Sequence, residues 1–376
     1  MEYTKIKEIN NYVSKSVNPA KMPDTVFEMY SVPAFETGHP EYLYGKEIAS
    51  SKIVVKKNDI LLCKINPRIN RVWIVLDESD NQSIASSEWI VIRTDDYNPE
   101  FLAWYFRTPQ FQQRMMSEVT GIGGSLTRAQ PKRVAEYPVP VLDRKRQDRI
   151  ATVLNKIANI IVLRKKELKV YDELIKSRFV EMFDNERYPL IRLGDICSKI
   201  TDGTHKTPNY LGDGVTFISA KNIVNGELDF SDIKHISEEE YQEIQNRCQT
   251  EMYDILLSKS GSLGTPVIVK TAEKLGLFES LAVIKYNREK IIPEFLCEQL
   301  KSDRIQRQFK TGTKGVAIKH LHLGVIADIK IIIPTIDKQR QFADFVKQLD
   351  KSKVAIQKSL EETQLLFNSL MQKYFD

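Results

Sequence analysis

Between about Asp143 and Asp184 the chain holds no proline and no glycine, and its apolar residues recur in steps of four and three. The stripe runs Ile150, Leu154, Ile157, Ile161, Leu168, Tyr171, Ile175 and Met182, with Arg164 and Arg178 in the two remaining positions. That heptad spacing predicts a helix packed lengthwise on another helix. At 1.5 Å per residue it would be roughly 60 Å long, and it needs a partner along its length. The stretch from Asp337 to Asp376 supplies one: Phe342, Val346, Leu349, Ile356, Leu360, Phe367, Leu370 and Tyr374 follow the same spacing, interrupted by Lys353 and Thr363. The lead-ins look alike, Pro140-Val141-Leu142-Asp143 then Arg146-Gln147 against Pro334-Thr335-Ile336-Asp337 then Arg340-Gln341. The ends also match, Phe183-Asp184 against Phe375-Asp376. The helix-pairing residues are therefore expected to be Ile150, Leu154, Ile157, Ile161, Leu168, Ile175, Phe342, Val346, Leu349, Ile356, Leu360 and Phe367.

Ahead of each long helix the pattern shortens to β-rich runs broken by turn residues. In the first half these are 52–56, 60–65, 71–76 and 89–93. In the second half they are 215–219, 255–258, 266–269 and 280–286. Asp59-Ile60-Leu61-Leu62 recurs as Asp254-Ile255-Leu256-Leu257, and Pro99-Glu100-Phe101-Leu102 recurs as Pro293-Glu294-Phe295-Leu296. Asn98 before Pro99 is a good N-cap with proline at the first helical position, so helices should run from the two prolines to about Ser117 and Phe309. Ser237-Glu238-Glu239-Glu240 reads as a capping box. The glycine loops Thr120–Gly124 and Thr311–Gly315 each precede one or two strands, a proline and a long helix. The order predicts an α+β fold: two similar mixed domains, 1–142 and 185–336, and two long helices, 143–184 and 337–376. Connectivity makes the helices an antiparallel coiled-coil pair and the whole a pseudo-twofold particle.

Composition narrows the function. The 376 residues carry 55 Lys plus Arg against 50 Asp plus Glu, a net charge of +5, which permits nucleic acid as a partner without requiring it. The four cysteines, Cys63, Cys197, Cys248 and Cys297, fit no metal-ligand spacing, so free thiols in a reducing cytoplasm are expected. The N-terminus reads as no signal peptide, and no apolar run approaches a membrane span. Catalytic motifs are missing. There is no phosphate-binding Gly-x-x-x-x-Gly-Lys-Ser/Thr loop. Gly121 and Gly123-Gly124 lack the strand-to-helix setting of a dinucleotide loop. Asn18-Pro19, Asn66-Pro67 and Asn98-Pro99 lack the second proline and the aromatic of an amino-methyltransferase, and no nuclease spacing of acids and lysine occurs. His320-Leu321-His322 has no Cys or acid beside it in sequence, so metal binding is not expected there.

Candidate DNA contacts fall at matching places in the two halves. Lys64, Asn66, Arg68, Asn70 and Arg71 share one predicted loop, and Thr127, Arg128, Gln130 and Lys132 follow the first glycine loop. In the second half the counterparts are His205, Lys206 and Thr207, then Lys221 and Asn222, Lys259 and Ser260, and Lys314, Lys319 and His320. Arginine and asparagine read guanine and adenine edges, and glycines let backbone N–H groups approach phosphates.

This order resembles the specificity subunit of type I restriction-modification systems, over the whole chain. The resemblance rests on Ser31–Phe35, Gly45–Ile48 with Ser50–Lys52, Asp202–His205, Ile218–Ile223 and the proline-to-Arg-Gln lead-ins, where the family often has Glu-Gln. It implies two target-recognition domains, each reading half of a bipartite, asymmetric double-stranded DNA site. It implies helices that set the spacer and dock two methyltransferase (modification) subunits, which bring S-adenosylmethionine, and a translocating endonuclease (restriction) subunit. The chain itself would then hold no cofactor and be no enzyme. Two other readings stand beside it: a regulator or scaffold with duplicated domains, and a decayed methyltransferase.

Overall fold

Both long helices form where the heptads place them, at Arg144–Phe183 and Ile336–Phe375. The computed structural model describes residues 2–76, 79–117, 119–120, 127–184, 188–224, 226–312 and 320–375. The chain divides into two compact units, 1–165 with 359–376, and 166–358. Each unit thus holds the start of one long helix and the end of the other.

The same sheet plan is built twice. In the first unit Val26–Tyr30 pairs antiparallel with Glu41–Tyr44 and parallel with Gln82–Ala85. In the second, Val215–Ile218 pairs antiparallel with Lys234–Ile236 and parallel with Leu275–Leu277. The two Ile-Leu-Leu strands are each flanked by two antiparallel partners that follow them in sequence: Ile60–Cys63 lies between Val72–Ile74 and Trp89–Ile92, and Ile255–Ser258 between Pro266–Ile268 and Leu281–Tyr286. Each N-terminal strand, Tyr3–Lys5 or Leu190–Arg192, pairs with the strand that leads into a long helix, Pro138–Pro140 or Lys330–Ile332. All four residues of both Ile-Leu-Leu strands are buried, which explains their unbroken apolar run.

The aspartate heading each of these strands closes a turn. Asp59 accepts from Lys56 N at 2.9 Å and from Arg93 Nε and Nη2 at 2.7 and 2.6 Å. Asp254 accepts from Glu251 N at 2.8 Å, Lys285 Nζ at 2.7 Å and Arg288 Nη2 at 3.0 Å. The residue before each is left-handed, Asn58 at φ 69° and Tyr253 at φ 71°. A buried carboxylate is tolerated there because it is both paired and hydrogen-bonded.

Asn98 caps its helix as expected, accepting from Glu100 N and Phe101 N, and Ser237 accepts from Glu240 N. The helices that begin at Pro99 and Pro293 are shorter than the sequence suggests. Each stops after about two turns, and a second helix follows, Pro109–Ser117 or Asp303–Gly312. Thr108 restarts the first of these, its Oγ1 accepting from Phe111 N at 3.3 Å. Short helices at Pro131–Val134 and Leu323–Asp328 stand in the stretches between glycine loop and long helix.

The lead-ins into the long helices match two residues away from the register their prolines suggest. Gln147 is buried, accepts from Asn98 N at 2.8 Å and donates to Leu142 O at 2.8 Å. The residue that repeats this is Gln339, which accepts from Ile292 N at 2.9 Å and donates to Pro334 O at 2.9 Å and Lys290 O at 3.0 Å. Lys338-Gln339, not Arg340-Gln341, is therefore the counterpart of Arg146-Gln147. Each glutamine stitches the first turn of a long helix to the helix that begins at Pro99 or Pro293.

The two long helices pack on each other, and each unit's core includes both. In the first unit Ile150, Ala151 and Leu154 join Phe367, Leu370, Met371, Tyr374 and Phe375. Phe375 meets Phe101 at 5.5 Å, and Trp104 meets Phe367 at 5.4 Å. In the second, Phe183 meets Phe295 at 4.9 Å and Phe342 at 5.6 Å, beside Ile175, Val346 and Leu349. Ile157, Leu168 and Leu360 are half-buried, and Ile161 and Ile356 are buried. All four cysteines are free, and burial pushes the thiols of Cys197, Cys248 and Cys297 up to about 12. Among the described residues no helix is long and apolar enough to cross a membrane.

Candidate nucleic-acid interface

In the first unit two basic segments far apart in sequence are joined by backbone bonds. Asn66 N donates to Thr127 O at 2.8 Å, Ala129 N donates to Lys64 O at 2.8 Å, and Ile65 bridges Arg128. Asn66 takes a left-handed turn at φ 50°, which asparagine adopts more readily than most residues. Its Oδ1 is buried with no hydrogen-bond partner among the described residues. Arg68 is exposed, and its carbonyl accepts from Gln112 Nε2 at 2.6 Å. Lys64 is half-buried, and neither it nor Arg68 forms an ion pair among the described residues. Arg128 sits 3.2 Å from Glu88. Asn70 and Arg71 turn toward the fold, Asn70 donating to Phe106 O at 3.4 Å and Arg71 pairing with Glu36 at 3.2 Å. Gln130 precedes the short helix that carries the exposed Lys132.

The second unit gathers its candidates more tightly. Lys259 and Ser260 follow the Ile255–Ser258 strand as Lys64 follows Ile60–Cys63, and Leu321 N donates to Lys259 O at 2.9 Å. That places His320 where the first unit has Arg128. Its Nε2 lies 3.4 Å from Glu279, as Arg128 lies beside Glu88. Lys259 is only 3% exposed and is bound to Asp202, which Arg247 also holds. Burial alone would raise the Asp202 carboxyl. The hydrogen bonds from Lys259 and Arg247 outweigh it and hold the group below the usual range. Gly203 passes so close to Leu277 that a Cβ would lie 2.0 Å from its carbonyl oxygen, so the Asp-Gly-Thr-His motif needs glycine there. Backbone bonds of Thr204 to Leu277 and Glu279 then set His205, Lys206 and Thr207 at the surface.

Lys221 is exposed on a short turn, whereas Asn222 is buried in the same turn. Its Oδ1 accepts from Ser219 N, and its Nδ2 donates to Asp229 O and Asp232 O. Ala220 N donates to Ser280 Oγ at 3.0 Å, which ties this turn to the carbonyl neighbour of Lys259. Lys314 and Lys319 lie outside the described residues, as do both glycine-loop centres. Sequence reasoning noted Asp202 only within the Asp-Gly-Thr-His stretch, not as a site residue, and passed over Arg247. Arg247 ends a surface helix, and no motif marks it. Among the described residues no group of three or more His, Cys, Asp or Glu could hold a metal.

The chain is similar to known proteins in sequence and in fold. Residues 185–365 match the family model described as the type I restriction modification DNA specificity domain. The chain is 20% identical to the type I restriction enzyme MjaVIII specificity subunit of Methanocaldococcus jannaschii, across 93% of this chain and 86% of that one. It is 28% identical to the EcoBI specificity subunit of Escherichia coli, across 43% and 34%. Its fold resembles that of the type I restriction-modification S subunit from M. genitalium, with TM-score 0.58, 16% identity and coverage of 100% and 96%. A chain solved in a study of type I R-M complex assembly and conformational transition gives TM-score 0.56 at 18% identity, with coverage of 100% and 97%. With the duplicated plan and the paired long helices, these likenesses place residues 185–365 with the type I restriction modification DNA specificity domain and make the chain as a whole similar to the specificity subunits of type I restriction enzymes.

Proposed function

We infer that the chain reads one bipartite, asymmetric DNA sequence, with residues 1–142 binding one half and 185–336 the other. The observation that carries this is the repeat of a single basic arrangement. In each unit a lysine leaves the Ile-Leu-Leu strand and is bonded through its carbonyl to a segment bearing a second basic group, Arg128 or His320. Two copies of one plan with different side chains suit two different half-sites. The candidate contacts are those named from the sequence, of which Arg68, Arg128, Lys132, His205, Lys206, Thr207 and Lys221 are exposed.

In this reading the helices at 143–184 and 337–376 set the spacer and dock two modification subunits. Support for two equivalent docking surfaces comes from apolar residues that the helix seam does not use. Val162 and Leu174 are 62% and 45% exposed, and their repeat counterparts Val354 and Leu366 are 66% and 52% exposed. Such residues on otherwise polar helices suit a protein partner. S-adenosylmethionine and methyl transfer belong to those partners, cleavage to an endonuclease subunit that joins them, and the whole would work in the cytoplasm.

The test is reconstitution. The purified chain alone is expected to transfer no methyl group to DNA and to hydrolyse neither DNA nor ATP. Methylation should appear when a modification subunit and S-adenosylmethionine are added. Turnover by the chain alone would overturn this function.

A further inference from the structure

We propose that Arg247 and His205 together clamp one backbone phosphate of the DNA held by the second unit; this rests on the function proposed above. Arg247 closes the helix Glu238–Arg247, and its carbonyl accepts from Lys199 Nζ at 2.7 Å, which fixes that helix end. Its side chain is 53% exposed and that of His205 56%, while Asp202 behind them is 5% exposed.

The hydrogen-bond inventory decides the ligand. A guanidinium has five N–H donors and no acceptor. Arg247 Nη2 donates to Asp202 Oδ1 and lies 3.1 Å from His205 Nε2. Since Nη2 can only donate, His205 Nε2 accepts, and the imidazole proton sits on Nδ1. The 3.5 Å separation of His205 Nε2 from Asp202 Oδ2 is too long to compete. Both Nη2 hydrogens are then used. Both two-pronged faces of a guanidinium include Nη2, so the fork that reads a guanine edge is spent. Without a partner among the described residues are the Nε and Nη1 hydrogens of Arg247 and the Nδ1 hydrogen of His205, with the exposed Lys206 next in sequence.

Every free group of this pair is a donor, so the fitting ligand is an acceptor that carries negative charge: a phosphodiester oxygen. The carboxylates nearby do not repel it. Asp202 is saturated by Arg247 and Lys259, and Glu279 faces Lys259 at 3.8 Å and His320 at 3.4 Å.

The experiment measures DNA affinity of the full chain assembled with its modification partner, from 50 to 200 mM salt, on a duplex with the target and on a random duplex. Arg247→Ala should weaken both duplexes by the same factor. It should also lower the slope of log K against log salt by about 0.9, so the variant loses about 3.5-fold less affinity across that range. Arg247→Lys should restore the slope, because it restores the charge. His205→Ala should weaken both duplexes and leave the slope alone. Asp202 keeps Lys259 in all these variants, and a thermal melt checks folding, with Arg247→Gln as the second neutral variant. An unchanged slope in folded Arg247→Ala and Arg247→Gln would overturn the clamp. So would a loss confined to the target duplex, which would make Arg247 a base reader. A wild-type assembly that binds no DNA would overturn the function proposed above, and the clamp with it; normal wild-type binding with unaffected variants would remove the clamp alone.

Discussion

Phe342→Ala is expected to destabilise the 166–358 unit by about 3–5 kcal/mol, the usual cost of removing a buried phenylalanine. Phe342 is 0% exposed and lies one turn and a half into the C-terminal helix. Its ring meets Phe179 at 5.5 Å, Phe183 at 5.6 Å and Phe295 at 6.4 Å, all near edge-on. Those partners come from the end of the central helix and from the helix that begins at Pro293. One ring therefore joins three elements, and a cavity there cannot close by moving a single side chain. Deleting it removes apolar burial and edge-to-face contacts together. Leu366→Ala, on an exposed face, should change stability by less than about 0.5 kcal/mol. Urea unfolding followed by circular dichroism and fluorescence reads both. A loss below about 1 kcal/mol for Phe342→Ala would mean that the long helix is not integral to that unit's core.

The long helices were legible because a heptad stripe leaves a periodic trace over forty residues, and every seam position named from sequence is buried or half-buried. The duplicated Ile-Leu-Leu strands were legible because a strand buried on both faces is a short unbroken apolar run. Pro140 and Pro334 misled the lead-in register. Proline marks where a helix may not yet begin, whereas the register is set by Gln147 and Gln339 and what they bond. The breaks at Thr108 and Ser302 were missed because a tight helix–helix corner interrupts the apolar pattern only weakly. The Asp202, Arg247 and Lys259 cluster draws on a strand end, a helix end and a loop. Pairing across such distances in sequence leaves no local signal.

Insertion of four helical residues beside Lys165 is expected to lengthen the unspecified spacer of the DNA target by about one base pair. The boundary between the two compact units crosses the central helix at this point and the C-terminal helix near Lys358, so both helices run from one unit into the other. Four residues add about 6 Å and a net rotation of about 40°. One base pair of B-DNA adds about 3.4 Å and turns by about 36°. Rotation thus matches one pair, and the rise one to two. The half-sites should be unchanged, and modification of the original site should fall sharply. The C-terminal helix must slip or bulge to keep its seam, so some loss of stability accompanies the change. Methylation of duplexes that carry the same half-sites at graded spacers reads the outcome. A folded, partnered insertion variant that keeps the original spacer would leave the helices only the docking of modification subunits.

That two separable readers lie in one chain can be checked by mapping N6-methyladenine across the genome of a host that carries this chain with its modification partner. A parallel strain has residues 1–142 exchanged for the corresponding domain of a relative. The expected result is a bipartite methylated motif that depends on the chain, with the exchange altering one half and preserving the other. Methylation that does not depend on the chain, or an exchange that leaves both halves unchanged or alters both in a folded, partnered protein, would contradict it.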